Sequence, residues 1–403
     1  MFSIPENVNW KVFSIFIVLV LLNLIFGIAS ICLKKEKKIV FRIIGNLLVV
    51  SLIAFFVYIA YSVSWCQDYK GYLSIYESGV HKDKGFVLIN NFLKEKGYDF
   101  VKTRTIIYIT SYILMFISLT LFKANKNVCF SLYAFYPWCY HAFQTRTCLG
   151  FAIIMLACTA LLLKGKWKII GIPIFACLIY CAYTIHASML LYAVLAVVFL
   201  TFKNKNYFAG VGLLITIVLL IIYYNGQNLI LDIIPSEIYE KYFVNNLYST
   251  HIPNIKEFNS LLLGMILMLI SSTFSVIAFT GMSNKDDSLE NLIPIENMRT
   301  YNNDYHNLKC IFYMIVCVFS LLLIFTVNTD MIRLERNFVI FIYAGLTISV
   351  RNAKHKFLNP WIILSIISML AANYVLLDFS NTWEAGGVEK AFWLFFTYPP
   401  VVA

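Results

Sequence analysis

The chain contains 403 residues, of which 60% are hydrophobic and only 13% are charged. Soluble globular domains carry about 25% charged residues, so this composition excludes an ordinary soluble enzyme as well as a disordered protein. The net charge of +11 comes from short basic clusters between apolar runs. This pattern is typical of the cytoplasmic loops of membrane proteins and does not indicate nucleic-acid binding. We therefore predict an all-α polytopic integral membrane protein.

Apolar runs long enough to cross a membrane recur along the whole chain. A transmembrane helix needs about 20 apolar residues, and on this criterion we predict about twelve helices in a single transmembrane domain, residues 1–403. The predicted spans are 11–33, 40–63, 105–122, 127–144, 147–163, 169–185, 187–202, 207–224, 258–281, 310–328, 338–350 and 358–377. The ten cysteines show no metal-binding spacing, and most lie inside these runs. We therefore expect neither a metal site nor a disulfide framework.

The basic residues fall mainly into alternate loops, beginning with residues 34–42. Because basic loops stay in the cytoplasm, this distribution predicts that both termini lie outside. Residues 64–104 and 225–257 are then large extracytoplasmic loops, and the polar stretch 282–309 is a cytoplasmic connector. The first large loop contains an amphipathic segment, Phe86–Lys96, which we predict to be an interfacial helix.

The chain has only seven arginines, and four of them lie in predicted extracytoplasmic positions: Arg104, Arg146, Arg333 and Arg336. Arg104 and Arg146 each occur in a Thr-Arg-Thr sequence at the predicted start of a helix, with Thr103 and Thr145 as candidate N-caps. A helix N-terminus and an arginine fork both suit phosphate. The alternatives are lipid-headgroup anchoring for the first two arginines and internal ion pairing in one short loop for the other two.

Two histidines and one aspartate lie at the same predicted level as these arginines. His141 lies shortly before Arg146, and His186 lies where one span ends and the next begins; each fits either a structural hydrogen bond or a site. Asp68 directly follows the second span and precedes three tyrosines, which suits sugar binding or general-base catalysis, or else helix capping. We expect one outward-open cavity lined by Asp68, His141, Arg146, His186, Arg333 and Arg336.

Several of these segments, taken in order, carry a resemblance to a known family. They are Asp68-Tyr69 with Tyr72 and Tyr76, Asp83-Lys84-Gly85-Phe86, Arg146 at a helix start, and His186-Ala187-Ser188. Over most of residues 10–350 this order resembles the EpsG-like group of Wzy-type polysaccharide polymerases. The chain departs from the family pattern at two places: Asp83-Lys84-Gly85 replaces Glu-Pro-Gly, and Arg146-Thr147 replaces Arg-Gln.

The resemblance implies a bacterial inner-membrane glycosyltransferase with a GT-C-like helical fold. Such enzymes join undecaprenyl-diphosphate-linked oligosaccharide repeat units on the outer side of the membrane, and we expect this one to need no metal or cofactor. The expected partners are that lipid-linked substrate, the bilayer, and the chain-length regulator and flippase of the same pathway. The resemblance makes Arg146 a catalytic cation and either Asp68 or His186 the base. The residues expected to bind diphosphate and sugar are Arg104, His141, Gln144, Arg333, Arg336, Tyr69, Tyr72 and Lys84.

Three alternative functions remain open at this point. A lipid-linked oligosaccharide flippase needs charge deep within its spans, and none of the acidic residues falls in a predicted span. An O-antigen ligase shares the chemistry of a polymerase and differs in its acceptor. An acyltransferase with a cytoplasmic donor needs a histidine near the inner face. His306 and His355 are predicted to lie there, but they are poor candidates because they lie in charged loops.

The predicted orientation can be tested by accessibility. In a cysteine-free background, a cysteine at Lys35, Lys166 or Arg351 should resist an impermeant thiol reagent in intact cells, while one at Asn228 or Ser249 should react. Labelling in the opposite pattern would overturn the orientation.

Overall fold

The computed structural model describes residues 8–33, 39–62, 67–196, 255–280, 295–319, 332–353, 356–383 and 395–396, and the regular structure in these ranges is helical, without strands. The helices are α1 (Trp10–Cys32), α2 (Ile39–Ser62), α3 (Gln67–Ser78), α4 (Lys84–Glu95), α5 (Phe100–Leu121), α6 (Lys126–Phe135), α7 (Trp138–Phe143), α8 (Thr145–Ala160), α9 (Trp167–Ile185), α10 (Ile255–Thr280), α11 (Ile295–Phe319), α12 (Ile332–Asn352) and α13 (Pro360–Trp383). The structure also contains two 3₁₀ segments: Ala187–Ala196, which follows α9, and Lys356–Leu358, which precedes α13.

Five helices within the described ranges are long and apolar enough to cross a membrane: Trp10–Cys32, Ile39–Tyr61, Phe100–Leu121, Trp167–Ile185 and Leu262–Thr280. Shorter apolar helices cover Thr145–Ala160, Ala187–Ala196 and Pro360–Leu376. The structure therefore confirms a polytopic helical membrane protein, whereas the predicted total of about twelve spans stays a prediction. The predicted span 207–224 and residues 225–254 of the predicted loop 225–257 lie outside the described residues, and the loop's last three residues are the start of α10.

Some predicted boundaries need correction. The predicted span 127–144 is two short helices, α6 and α7, because Tyr136 has an extended backbone before Pro137. The predicted connector 282–309 is helical from Ile295 onward, where α11 begins, and its Asp304 is buried rather than solvated. The predicted helix Phe86–Lys96 is present as α4 with the bounds Lys84–Glu95, and its interfacial position stays a prediction.

Helix α8 lies at the centre of the described bundle. None of its residues is exposed, and it packs against α5 and α9. Helix α9 instead leaves large apolar side chains uncovered on its other face, including Ile169, Ile172 and Tyr180. Uncovered apolar side chains along one face of a long apolar helix are expected where that face contacts lipid. Further along the chain, α10 packs against α12 and α13.

Asparagine side chains join α1, α2 and α6. Asn127 Nδ2 donates to Asn23 Oδ1 and to the Gly45 carbonyl, each at 2.9 Å, and so links α6 with α1 and α2. Asn125, the N-cap of α6, donates to the Gly27 carbonyl at 3.3 Å. Hydrogen bonds and small residues are the main sources of helix association in lipid, because apolar burial gives little advantage there.

The close approach of α1 and α6 at Gly27 predicts a packing-sensitive position. A Cβ there would lie 2.7 Å from Val128 Cγ2 and 3.0 Å from the Val128 backbone nitrogen. Gly27→Ala should therefore destabilise the protein by about 1–3 kcal/mol through overpacking. Gly71→Ala in α3 is the matched control, because a Cβ at Gly71 has nothing within 4 Å. Equal melting temperatures for both variants in detergent would contradict this packing.

Candidate active site

Helices α3 and α4 form a small unit within the segment 64–104. Lys94 of α4 donates to the Tyr76 and Glu77 carbonyls near the end of α3, each at 3.2 Å. The Tyr76 hydroxyl donates to the Tyr98 carbonyl at 2.6 Å. Gly97 ends α4 with a φ of 82°, and its amide and that of Tyr98 complete a Schellman cap. These contacts hold α3, α4 and the start of α5 together.

A separate apolar cluster fixes this unit onto the ends of the longer helices. Its buried members come from α3, α4, α5, α8 and α9: Tyr72, Ile75, Phe86, Phe100, Ile107, Leu149 and Ile185. Gly85 lies against Thr184 of α9, and a Cβ at Gly85 would come within 3.0 Å of the Thr184 carbonyl carbon. The absence of a side chain at Gly85 therefore lets the start of α4 approach the end of α9.

Arg146, the second residue of α8, pairs with Asp83 directly before α4. Arg146 Nη1 donates to Asp83 Oδ2, and the guanidinium lies 5.3 Å from the centre of the Tyr72 ring. The Asp83 side chain is 3% exposed and that of Arg146 is 20% exposed. The carboxylate is therefore buried against a cation that keeps some access to solvent.

His81 is a third member of this group, and the sequence analysis did not single it out. Arg146 Nη1 lies 3.4 Å from His81 Nδ1 and 3.3 Å from Nε2. Burial and the nearby Arg146 lower the pKa of His81 below its usual 6.5, and Asp83 offsets this in part. His81 is therefore neutral at neutral pH. The signal in the sequence was its position two residues before Asp83, where the motif that carried the resemblance begins.

Arg104 lies deeper than expected. It is 2% exposed and its guanidinium lies 4.8 Å from the centre of the Tyr69 ring. Its Nε is 3.5 Å from the Thr145 hydroxyl, which also lies 3.0 Å from the Tyr108 hydroxyl. This burial disagrees with the headgroup-anchoring interpretation of Arg104. The Thr145 hydroxyl instead places Arg104 beside the start of α8, next to Arg146.

The predicted N-caps are wrong for both arginine motifs. Asp99 caps α5, with its Oδ1 accepting from the Lys102 amide at 2.7 Å, so Thr103 lies inside that helix. Gln144 is the N-cap residue of α8, and Thr145 is the first helical residue. Arg146 therefore remains at a helix N-terminus, whereas Arg104 does not.

His141 belongs to a buried hydrogen-bond chain. Its Nδ1 lies 2.5 Å from the Tyr133 hydroxyl and its Nε2 lies 2.7 Å from Asn337 Oδ1. Asn337 Nδ2 in turn donates to the Tyr192 hydroxyl at 3.5 Å. With both ring nitrogens engaged and no exposed surface, His141 joins α6, α7 and α12, and its predicted contact with substrate stays a prediction.

Arg336 lies close to this chain, on α12. It is 4% exposed, and its guanidinium carbon lies 3.4 Å from the centre of the Tyr140 ring. The loop expected around Arg333 and Arg336 is helical from Ile332 onward, which corrects the boundary. The Arg333 side chain lies outside the described residues.

Of the remaining predicted site residues, Asp68, Lys84 and Gln144 are chain neighbours of Tyr69, Asp83 and Thr145. Asp68 lies half-buried in the first turn of α3, directly before Tyr69, and Lys84 is the exposed first residue of α4. His186 ends α9, and its Nδ1 lies 2.8 Å from the Ser188 hydroxyl. Gln144 is 5% exposed.

The contacts thus place six of the predicted site residues in two separate groups. Arg104, Arg146, Tyr69 and Tyr72 meet at the α8 N-terminus together with His81, Asp83 and Thr145, and we call these seven residues the Arg146 cluster. His141 and Arg336 belong to the buried region between α7 and α12. The single shared cavity is not evident among the described contacts and stays a prediction.

The Arg146 cluster places cationic and aromatic side chains at the end of a membrane helix bundle. Comparison with protein families gives a match to the EpsG family model that spans residues 45–386. The chain therefore belongs to the EpsG family, which indicates a membrane protein of polysaccharide biosynthesis with a Wzy-like polymerase activity. No curated protein and no solved structure matches the chain at a significant level.

The role of Thr145 in this cluster can be tested with an isosteric change. Thr145→Val removes the hydroxyl that contacts Arg104 and Tyr108 and should cost about 1–3 kcal/mol, because a buried guanidinium loses a partner. Thr105→Val is the control, because the Thr105 hydroxyl donates to the Val101 carbonyl within its own helix. Equal loss of thermal stability in both variants would show that Thr145 does not support the cluster.

Proposed function

We propose that this protein is a polysaccharide polymerase of the bacterial inner membrane with a GT-C-like arrangement of helices. It joins undecaprenyl-diphosphate-linked oligosaccharide repeat units on the outer face of that membrane. The observation that carries the proposal is the Arg146 side chain, which stands at a helix N-terminus beside aromatic residues and pairs with a carboxylate that a diphosphate can replace. Family membership supports the same activity.

The chemistry of glycosyl transfer from a lipid diphosphate explains the need for Arg146. Negative charge grows on the leaving diphosphate as the glycosidic bond breaks, and a positioned cation lowers that barrier. The first turn of α8 adds backbone N–H groups without intrahelical partners and the positive end of the helix dipole. Arg146 Nε is buried and makes no hydrogen bond in the described structure, so the guanidinium retains a donor for phosphate oxygen.

The other residues of the cluster suit supporting roles. Arg104 adds a second positive charge behind the α8 N-terminus, joined to it through Thr145. Tyr69 and Tyr72 present rings beside the two guanidinium groups, and rings with a polar edge are suited to sugar contacts. We propose that the arginines neutralise the leaving group in place of a metal ion, and that Asp68 and Lys84 border the acceptor side.

Arg146 should therefore be required for polymer formation. Arg146→Ala removes a charge-assisted contact in a partly dry site and should cost about 2–4 kcal/mol of barrier, roughly 30- to 1,000-fold in rate. Arg146→Lys keeps the charge, loses the planar fork and should also be impaired. Both variants are expressed at matched levels in a strain lacking the gene, and the glycan ladder is resolved by electrophoresis.

The expected phenotype is persistence of single lipid-linked repeat units with little long polymer. Lys102→Ala is the matched control, because Lys102 forms an exposed pair with Asp99 that should contribute little. Full-length polymer from Arg146→Ala would show that this arginine has no role in transfer. Accumulation of the repeat units on the cytoplasmic side would instead favour a flippase, and normal polymer that fails to reach its final acceptor would favour a ligase.

A further inference from the structure

The Asp83 carboxylate lies between two groups that compete for it. Its Oδ2 pairs with Arg146 Nη1 and lies 3.5 Å from His81 Nδ1. Because Asp83 is 3% exposed, its charge cannot be left to solvent when either partner moves. A carboxylate that loses Arg146 must therefore find its hydrogen bond at His81.

The orientation of His81 allows this exchange. The Asp83 amide donates to His81 Nδ1 at 3.1 Å, so in the unliganded protein the neutral ring carries its proton on Nε2. Arg146 Nη1 is almost equally far from both ring nitrogens and therefore contacts the ring as a whole. The His81 side chain is 23% exposed, which leaves it accessible to water and to a substrate hydroxyl.

The surroundings of His81 favour its unprotonated form. Burial, Arg146 from α8 and Lys82 from its own loop lower the His81 pKa, and Asp83 raises it in part. Tyr72 of α3 and Phe86 of α4, which also lie around Arg146, contribute aromatic rings rather than charge. The neutral state is the one that a base needs, since only an unprotonated nitrogen can accept a proton.

We propose that His81 is the general base of glycosyl transfer and that Asp83 orients it once a diphosphate has taken Arg146. This inference rests on the proposed function and assigns the base of that same site. In the unliganded protein Arg146 holds Asp83. When the donor's diphosphate binds Arg146, the His81 ring changes tautomer through water: it releases the Nε2 proton and takes a proton on Nδ1, which then donates to the Asp83 carboxylate in place of accepting from the Asp83 amide. His81 Nε2 is left with a free lone pair.

The transfer step moves one proton and replaces one carbon–oxygen bond with another. His81 Nε2 takes the proton of the acceptor sugar's hydroxyl, while the hydroxyl oxygen forms a bond to the anomeric carbon of the donor. The bond from that carbon to the diphosphate oxygen breaks, and its electron pair leaves with the lipid diphosphate beside Arg146. The His81 imidazolium afterwards releases its proton to water. Arg146 and Asp83 thus couple arrival of the donor to activation of the base.

The experiment uses the full-length protein in proteoliposomes with lipid-linked repeat units extracted from a strain lacking the gene. His81→Gln should lower kcat by roughly 100- to 10,000-fold. In the wild type, kcat/KM should rise with pH as His81 loses its proton, with the midpoint below 6.5 because the His81 pKa is lowered. His81→Gln should lose this rise. Lys70→Gln on α3, an exposed lysine that is not among the charges that shift the His81 pKa, is the control and should keep both rate and profile.

Asp83→Asn gives a second measurement that does not depend on the folding of the His81 variant. It should lower kcat because His81 is no longer oriented, and it should move the pH midpoint further down because the negative charge that raises the His81 pKa is gone. A role of Asp83 in folding alone would not move the midpoint.

Three results would overturn the inference. They are a wild-type kcat in His81→Gln, a pH rise that survives in His81→Gln, and loss of that rise in Asp68→Asn or His186→Gln instead. If the wild-type protein itself forms no polymer from these repeat units, the proposed function fails, which is a different outcome from activity that is independent of His81.

Discussion

The ion pair between Arg146 and Asp83 is the contact on which the rest of the site depends. A buried carboxylate is stable only with a partner, so Asp83 requires the N-terminus of α8 beside it. This requirement holds the loop between α3 and α4 against the central helix of the bundle. Packing of Gly85 on Thr184 and the apolar cluster around Phe86 fix the same segment from its other sides. A diphosphate that competes for Arg146 therefore acts on the whole segment.

Much of the fold follows from the length of the apolar runs. Runs near 20 residues have few alternatives to a membrane helix, and α1, α2, α5, α9 and α10 lie where they were predicted. The predicted span 127–144 was wrong because hydropathy counts treat all apolar residues alike. The residue before a proline disfavours helix, and Tyr136 before Pro137 marks the break between α6 and α7.

The site was predictable only where it depends on local sequence. Arg146 was recognised from its place at a helix start, which neighbouring residues determine. The burial of Arg104 depends on Thr145, 41 residues away, and the role of His81 depends on Arg146, 65 residues away. Periodicity and composition carry no information about such contacts. The hydrogen bonds of His141 to Tyr133 and Asn337 likewise could not be read from the chain.

The central claim is that Asp83 and a diphosphate compete for Arg146, and a double-mutant cycle on inorganic pyrophosphate affinity tests it most directly. The full-length protein in nanodiscs is titrated as wild type, Asp83→Asn, Arg146→Ala and the double variant. Competition predicts that Asp83→Asn tightens pyrophosphate binding about 5- to 150-fold when Arg146 is present and has no effect when it is absent. An equal gain in both backgrounds would show simple charge repulsion, and no gain in either would show that Asp83 does not occupy the anion site.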